Sequence, residues 1–221
     1  MEKRAYAGAI RDKARTTKKL LDAVGEIVRK EGYTGLNASN IAKHAGTSRR
    51  LISFHFDSVE NLIETYVRTK DYWTTSSASA DFAAPITKPE DTRQILESLL
   101  VNQLDYFSRE EELQKIILWQ LSQRSQVMFE VAEERERAGA EFFKIADGLF
   151  DKTNVDIRAV AGLLVGGIYY MVLHAKSNDS LFCGIDVNST EGMNRIKQAI
   201  AEILFDAYKR AEKQRVKSGK K

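Results

Sequence analysis

Residues 37–56 read Asn-Ala-Ser-Asn-Ile-Ala-Lys-His-Ala-Gly-Thr-Ser-Arg-Arg-Leu-Ile-Ser-Phe-His-Phe. They hold the densest set of side chains able to grip a ligand. Arg49 and Arg50 stand side by side directly after Gly46, Thr47 and Ser48. Guanidinium and hydroxyl groups together suit phosphate oxygens, and an arginine can also pair bidentately with a guanine edge. Positive charge at a helix N-terminus opposes the helix dipole, so its presence makes sense when an anion arrives to meet it. Covalent and acid–base chemistry finds far less to use. The three histidines, His44, His55 and His174, are dispersed, and Cys183 is the single cysteine. No Gly-x-Ser-x-Gly, His-Glu-x-x-His, Gly-Lys-Ser/Thr phosphate loop or dinucleotide glycine pattern occurs. The run from Asp186 to Thr190 hints at a calcium loop, but its turn glycine is displaced by one and Lys197 stands where the closing Glu belongs. The expectation is a protein that is not an enzyme, with no metal and no cofactor.

Two short helices must position the Arg49–Arg50 pair. Asn37 reads as the N-cap of one, carrying Ile41, Ala42 and Ala45 and ending at Gly46. Ser48 caps the next, which carries Leu51 and Ile52. A helix pair hinged at a glycine is a helix-turn-helix, whose second helix enters a DNA major groove. Small or apolar side chains at 41, 42, 45 and 52 let both helices pack on a first helix marked by Leu20, Leu21, Val24, Ile27 and Val28. Ser58, with Glu60 in the first turn, starts a fourth helix reaching about Trp73.

Helical spacing continues beyond a linker at Ser76 to Glu90 that holds both prolines, Pro85 and Pro89. Further helices are predicted around Ile95–Phe107, Leu113–Leu121, Arg124–Phe150, Val155–Lys176 and Thr190–Ala211. The fold class is therefore all-α with about nine helices. The predicted organisation is a helix-turn-helix domain at 1–57, a connecting helix at 58–75, a second helical domain at 76–212 and a disordered basic tail at 213–221.

The chain has 221 residues, 43% of them hydrophobic and 29% charged, which suits a globular protein with a substantial core. Its net charge of +3 conceals an asymmetry. Residues 1–57 carry +6, residues 58–208 carry −9 and residues 209–221 carry +6. A basic first segment beside an acidic body points to a polyanion partner for that segment, against the plainer reading of a solvated charged surface. The lone cysteine, with no visible secretion signal, points to the reducing cytoplasm. The uncharged stretch from Ala159 to Ala175 is 17 residues long. A membrane span needs about 20, so a buried helix and no membrane partner are expected.

The first segment resembles the TetR family of bacterial transcriptional regulators. The matching residues are Gly32-Tyr33, Asn37 through Ile41-Ala42, Ala45-Gly46-Thr47-Ser48, His55-Phe56, and Ser58, Glu60 and Leu62. They cover residues 17–67; the remainder agrees only in length and helix count. Arg50, Leu51, Ser53 and Val59 depart from the family pattern, which bears on DNA sequence preference and removes one phosphate contact at Val59. The resemblance implies that Asn37 and the amides after it approach phosphate and that Lys43 adds a backbone contact. It further implies that Thr47, Ser48, Arg49 and Arg50 meet phosphates or base edges, with Ser53, Phe54 and His55 further along the recognition helix. Phe54 suits either a thymine methyl or the core, whereas Leu51 and Phe56 suit the core.

The same resemblance implies a homodimer on a palindromic operator, released by a small, mostly apolar effector. Phe107, Trp119, Met128, Phe142, Tyr169 and His174 are the candidate effector contacts. Gly162, Gly166, Tyr170, Leu173, Ile200 and Leu204 are the candidate dimer contacts on the last two helices. The competing reading is a helical protein–protein interaction module that keeps the fold without specific DNA binding.

Overall fold

A computed structural model describes residues 2–73 and 91–218. Among them lie nine α-helices: α1 (Glu2–Glu31), α2 (Ala38–His44), α3 (Arg49–Phe56), α4 (Val59–Lys70), α5 (Thr92–Arg109), α6 (Glu111–Ser122), α7 (Gln126–Phe150), α8 (Ile157–Asn178) and α9 (Thr190–Ser218). A 3-10 turn, Tyr33–Gly35, joins α1 to α2. The predicted linker at 76–90 falls outside the described residues.

Two compact units divide the chain differently from the sequence expectation. Met1–Thr75 packs with Glu111–Glu134, and Ser76–Glu110 packs with Arg135–Lys221. The reason lies in the apolar stripes of α6 and early α7. Ile116, Val127, Met128 and Val131 join one buried cluster with Leu20, Val24 and Ile27 of α1, Ile41 of α2, Ile52 of α3 and Leu62 and Val67 of α4. Trp119 lies flat on Tyr33, ring centroids 5.4 Å apart and 4° from parallel. Both Trp119 and Met128, expected to line an effector pocket in the second domain, thus belong to the core of the first unit.

A polar clasp also ties α6 into this unit. The mostly buried Glu112 carboxylate pairs with Arg29 of α1 and, at 2.8 Å, with Lys70 of α4, and it accepts the Tyr66 hydroxyl. The helices come close enough there that a Cβ at buried Gly25 would lie 3.1 Å from the Tyr66 hydroxyl.

In the second unit, α5 packs on α8 and α9. Phe107 meets Tyr169 edge-on at 4.8 Å, and Phe150 meets Tyr208 in the same way at 4.8 Å. Lys197 pairs with Asp105 at 2.7 Å, and the Tyr208 hydroxyl donates to Thr92 Oγ1 at 2.9 Å. Burial pushes the Tyr208 phenol above its ordinary value, and the Thr92 hydrogen bond partly opposes that shift. Helix α9 runs on to Ser218, so the basic segment expected as a disordered tail from 213 begins as helix. A regular backbone can carry a fully solvated charged face, which is why composition alone suggested a coil there.

Candidate nucleic-acid interface

Local chemistry builds the α2–α3 corner. Asn37 is extended and its Oδ1 accepts the Asn40 amide at 3.0 Å, which satisfies a free donor at the start of α2. At the other end Gly46 adopts φ +60°. Its amide donates to Lys43 O at 3.2 Å and the Thr47 amide donates to Ala42 O at 2.9 Å. This paired closure is the Schellman turn, and its left-handed residue favours glycine. Ser48 is extended ahead of α3, yet its hydroxyl caps none of the α3 amides. Asp57, at φ +66°, ends α3, and Ser58 Oγ starts α4 by accepting the Asn61 amide at 3.0 Å.

Spacing on α3 separates a packed face from an open one. Ile52 is buried and Phe56, one turn on, packs against the core cluster. Arg49 and Ser53 form one i,i+4 pair on the other side, and Arg50 and Phe54 form a second; all four are exposed. Phe54 is 74% exposed, which decides between its two readings in favour of the outer surface. Neither Arg49 nor Arg50 has an acidic partner among the described residues, and the first turn of α3 holds no acidic residue. Helix α3 therefore presents two solvated guanidiniums, the Ser53 hydroxyl and one aromatic ring on a single outward face.

The other candidates around this corner divide. Asn37, Lys43 and Ser48 are exposed, although the Asn37 oxygen is already committed to its cap. The Thr47 hydroxyl is buried without a hydrogen-bond partner and turned away from solvent. His55 is half-buried, its Nδ1 3.3 Å from Thr17 Oγ1 of α1. His44 lies between Glu26 (3.3 Å) and Glu31 (3.2 Å). The Glu26 carboxyl is held below its usual range, first by the Lys30 hydrogen bond and then by that of His44.

Of the candidate effector residues in the second unit, Phe107 and Phe142 are buried and Tyr169 is half-buried. His174 belongs to a separate cluster, with Ser180 Oγ 2.9 Å from its Nε2 and the rings of Tyr170 and Phe182 alongside. The sequence reading passed over one residue that helical spacing could have flagged. Gln103 falls on the α5 stripe between Leu99 and Phe107, it is fully buried, and neither polar atom of its amide has a hydrogen-bond partner.

The candidate dimer residues need correction. Leu173, Ile200 and Leu204 are buried within their own unit and cannot form an outer surface. Helix α8 carries a second apolar face, and it is this face that is open: Gly162, Leu163, Gly166 and Tyr170; on α9 the exposed Ile203 and Phe205 are two residues apart and point to different sides. Helix α8 is long and apolar enough to cross a membrane, and 28% of its most apolar stretch is buried within the chain.

Residues 20–66 match the sequence model of the bacterial regulatory proteins of the tetR family. No curated protein matches the chain significantly. Solved structures do share its fold. A fatty acid metabolism regulator from Clostridium perfringens is 19% identical, with a TM-score of 0.61 over 83% of this chain and 97% of its own. The regulator FadR from Bacillus subtilis, solved with stearoyl-CoA, is 17% identical, with a TM-score of 0.59 over 85% and 96%. NalD of Pseudomonas aeruginosa, a repressor of a multidrug efflux pump, is 16% identical, with a TM-score of 0.59 over 89% and 96%. The matched segment thus contains the whole helix-turn-helix, and the all-α fold of the chain is similar to that of these solved regulators.

Proposed function

We propose that this protein is a ligand-responsive repressor that binds a palindromic operator as a cytoplasmic homodimer and is released by a small, mostly apolar effector. The outward face of α3 carries the reading: Arg49, Arg50, Ser53 and Phe54 are exposed together, and the two arginines have no acidic partner among the described residues. Arginine suits guanine or phosphate, and the phenyl ring suits a thymine methyl. Two such helices about 34–36 Å apart read successive turns of a duplex.

Selection from a random duplex pool, followed by salt titration, tests the reading. The parent protein enriches an inverted repeat. Arg49→Ala with Arg50→Ala weakens its specific binding at least tenfold and flattens the salt dependence by about 0.9 log units per lost phosphate contact. Equal affinity for the selected and scrambled duplexes would favour the interaction-module reading instead.

For the effector, the support is Gln103. An unpaired amide buried among Leu99, Leu100, Leu104 and Phe107 costs about 1–3 kcal/mol. A ligand group that both donates and accepts would recover that cost. Binding of such a ligand would shift the dimer to a geometry unfit for the operator. The first probe is stearoyl-CoA, the ligand of the Bacillus subtilis relative. Gln103→Leu is expected to raise the stability of the free protein while weakening release of DNA by the effector. A variant less stable than the parent contradicts this role for Gln103.

A further inference from the structure

We propose that the cavity bordered by α1, α4 and the first turn of α6 binds a small dianion, a phosphate or a dicarboxylate, through Arg29 and Lys70. The site goes beyond the function proposed above: its residues all belong to the first unit, whereas Gln103 belongs to the second.

Helical spacing builds the wall. Lys18, Leu21, Gly25 and Arg29 recur three or four residues apart and so share one side of α1. With Tyr66 and Lys70 of α4 and Glu112 of α6 they border an open-mouthed cavity of about 960 Å³. A volume of that order holds a small molecule. Gly25 keeps the inner end clear, since a Cβ there would stand 3.1 Å from the Tyr66 hydroxyl and 3.4 Å from Glu112 Oε1.

Charge sets the class of ligand. Lys13, Lys18, Arg29 and Lys70 line the cavity against Asp22 and Glu112, which leaves two positive charges unbalanced. Lys18 is paired with Asp22 at 2.7 Å, and Lys13 has no acidic partner among the described residues. At the inner end one carboxylate serves three donors. Glu112 pairs with Arg29, lies 2.8 Å from Lys70 and accepts the Tyr66 hydroxyl. Its side chain is 12% exposed, against 44% for Arg29 and 29% for Lys70. The two cations are thus more open to solvent than the anion they share, and an arriving anion meets them first. A guanidinium also carries more N–H donors than its contact with Glu112 uses. Charge-assisted hydrogen bonds to a phosphate or carboxylate are stronger where solvent is partly excluded.

Placement gives the site its consequence. Arg29 and Lys70 stand in the last turns of α1 and α4. Helix α1 packs on α2 and α3, and α4 packs on α3. An anion bridging Arg29 and Lys70 therefore braces the two helices that support α3, and gives the first unit a chemical input of its own.

The test is calorimetric titration of the full chain at fixed ionic strength, with inorganic phosphate in one arm and succinate in the other. Saturable binding of either supports the site and tells which anion chemistry it takes; binding of neither overturns it. Arg29→Gln and Lys70→Gln, made singly so that Glu112 keeps one cation, should each weaken binding about tenfold, in line with the loss of a hydrogen bond to a charged group. Glu112→Gln should strengthen it severalfold, because the competing carboxylate is gone. Thermal unfolding checks that each variant is folded, and Glu112→Gln decides the matter if the other two are not. Affinity unchanged or lowered in Glu112→Gln contradicts the proposal. So does binding lost in the Arg49→Ala, Arg50→Ala protein, which would place the anion on α3, or displacement of phosphate by duplex DNA, which would assign the cavity to the nucleic acid. A parent protein that binds no duplex refutes the function of α3 and leaves this titration intact, so the two failures are distinct.

Discussion

Tyr208 shows how one side chain can limit the pH range of the second unit. Its phenol is largely buried, donates to Thr92 and titrates above its ordinary value because burial disfavours the phenolate. A group whose folded pKa is raised contributes stability below its unfolded value, near 10 for tyrosine, and loses it as pH rises through the folded value. Urea midpoints should therefore fall as pH rises above about 10, and Tyr208→Phe should flatten that fall. An equally steep loss in the variant would assign the alkaline instability to another group. At this scale the outward position of Arg49 and Arg50 on α3 was legible from residue type and helical spacing. It was less so at Phe54, because an aromatic ring satisfies a core and a DNA surface equally well. With Ile52 and Phe56 taking the packed face, Phe54 is left on the outer surface. Gln103 was legible in principle, as a polar residue on an apolar stripe, but polar side chains on such stripes draw notice only once burial removes their water.

Only four residues separate the end of α2 from the start of α3, and that economy depends on Gly46. No atom lies within 4 Å of a Cβ built there, so a side chain would meet no steric obstacle. The obstacle is the backbone at φ +60°, which costs an L-residue about 1–2 kcal/mol. Gly46→Ala should lower stability by that amount in denaturant unfolding and weaken operator binding by tilting α3. A neutral outcome would mean that the corner relaxes into another turn. Caps and stops of this sort gave the elements their readable boundaries: Asn37, Gly46 and Ser58 all perform local jobs within a few residues of themselves. The placement of α6 was not readable in that way. Its stripe announces that it packs, but not against which helices, since Arg29 and Glu112 are 83 residues apart.

Across the whole molecule, the open apolar face of α8 requires a cover. Leu163 is 78% exposed and Tyr170 is 57% exposed, on a helix with few charges. The proposed homodimer would bury them, with Gly162 and Gly166 admitting a close neighbour. Leu163→Glu should convert the dimer to a monomer in sedimentation equilibrium and reduce operator affinity, leaving the helical content unchanged. A dimer that survives the substitution would place the two-fold axis elsewhere.

The division of the chain has a practical corollary for anyone who wants the reading head alone. The backbone leaves the first unit after Thr75 and re-enters it from Glu111 to Glu134. A fragment stopped at residue 75 would lack Ile116, Val127, Met128 and Val131, which help to seal its interior. It would also leave Arg29 and Lys70 without their shared carboxylate. The head is thus not an excisable cassette, and a graft onto another protein succeeds only if α6 and the start of α7 travel with it.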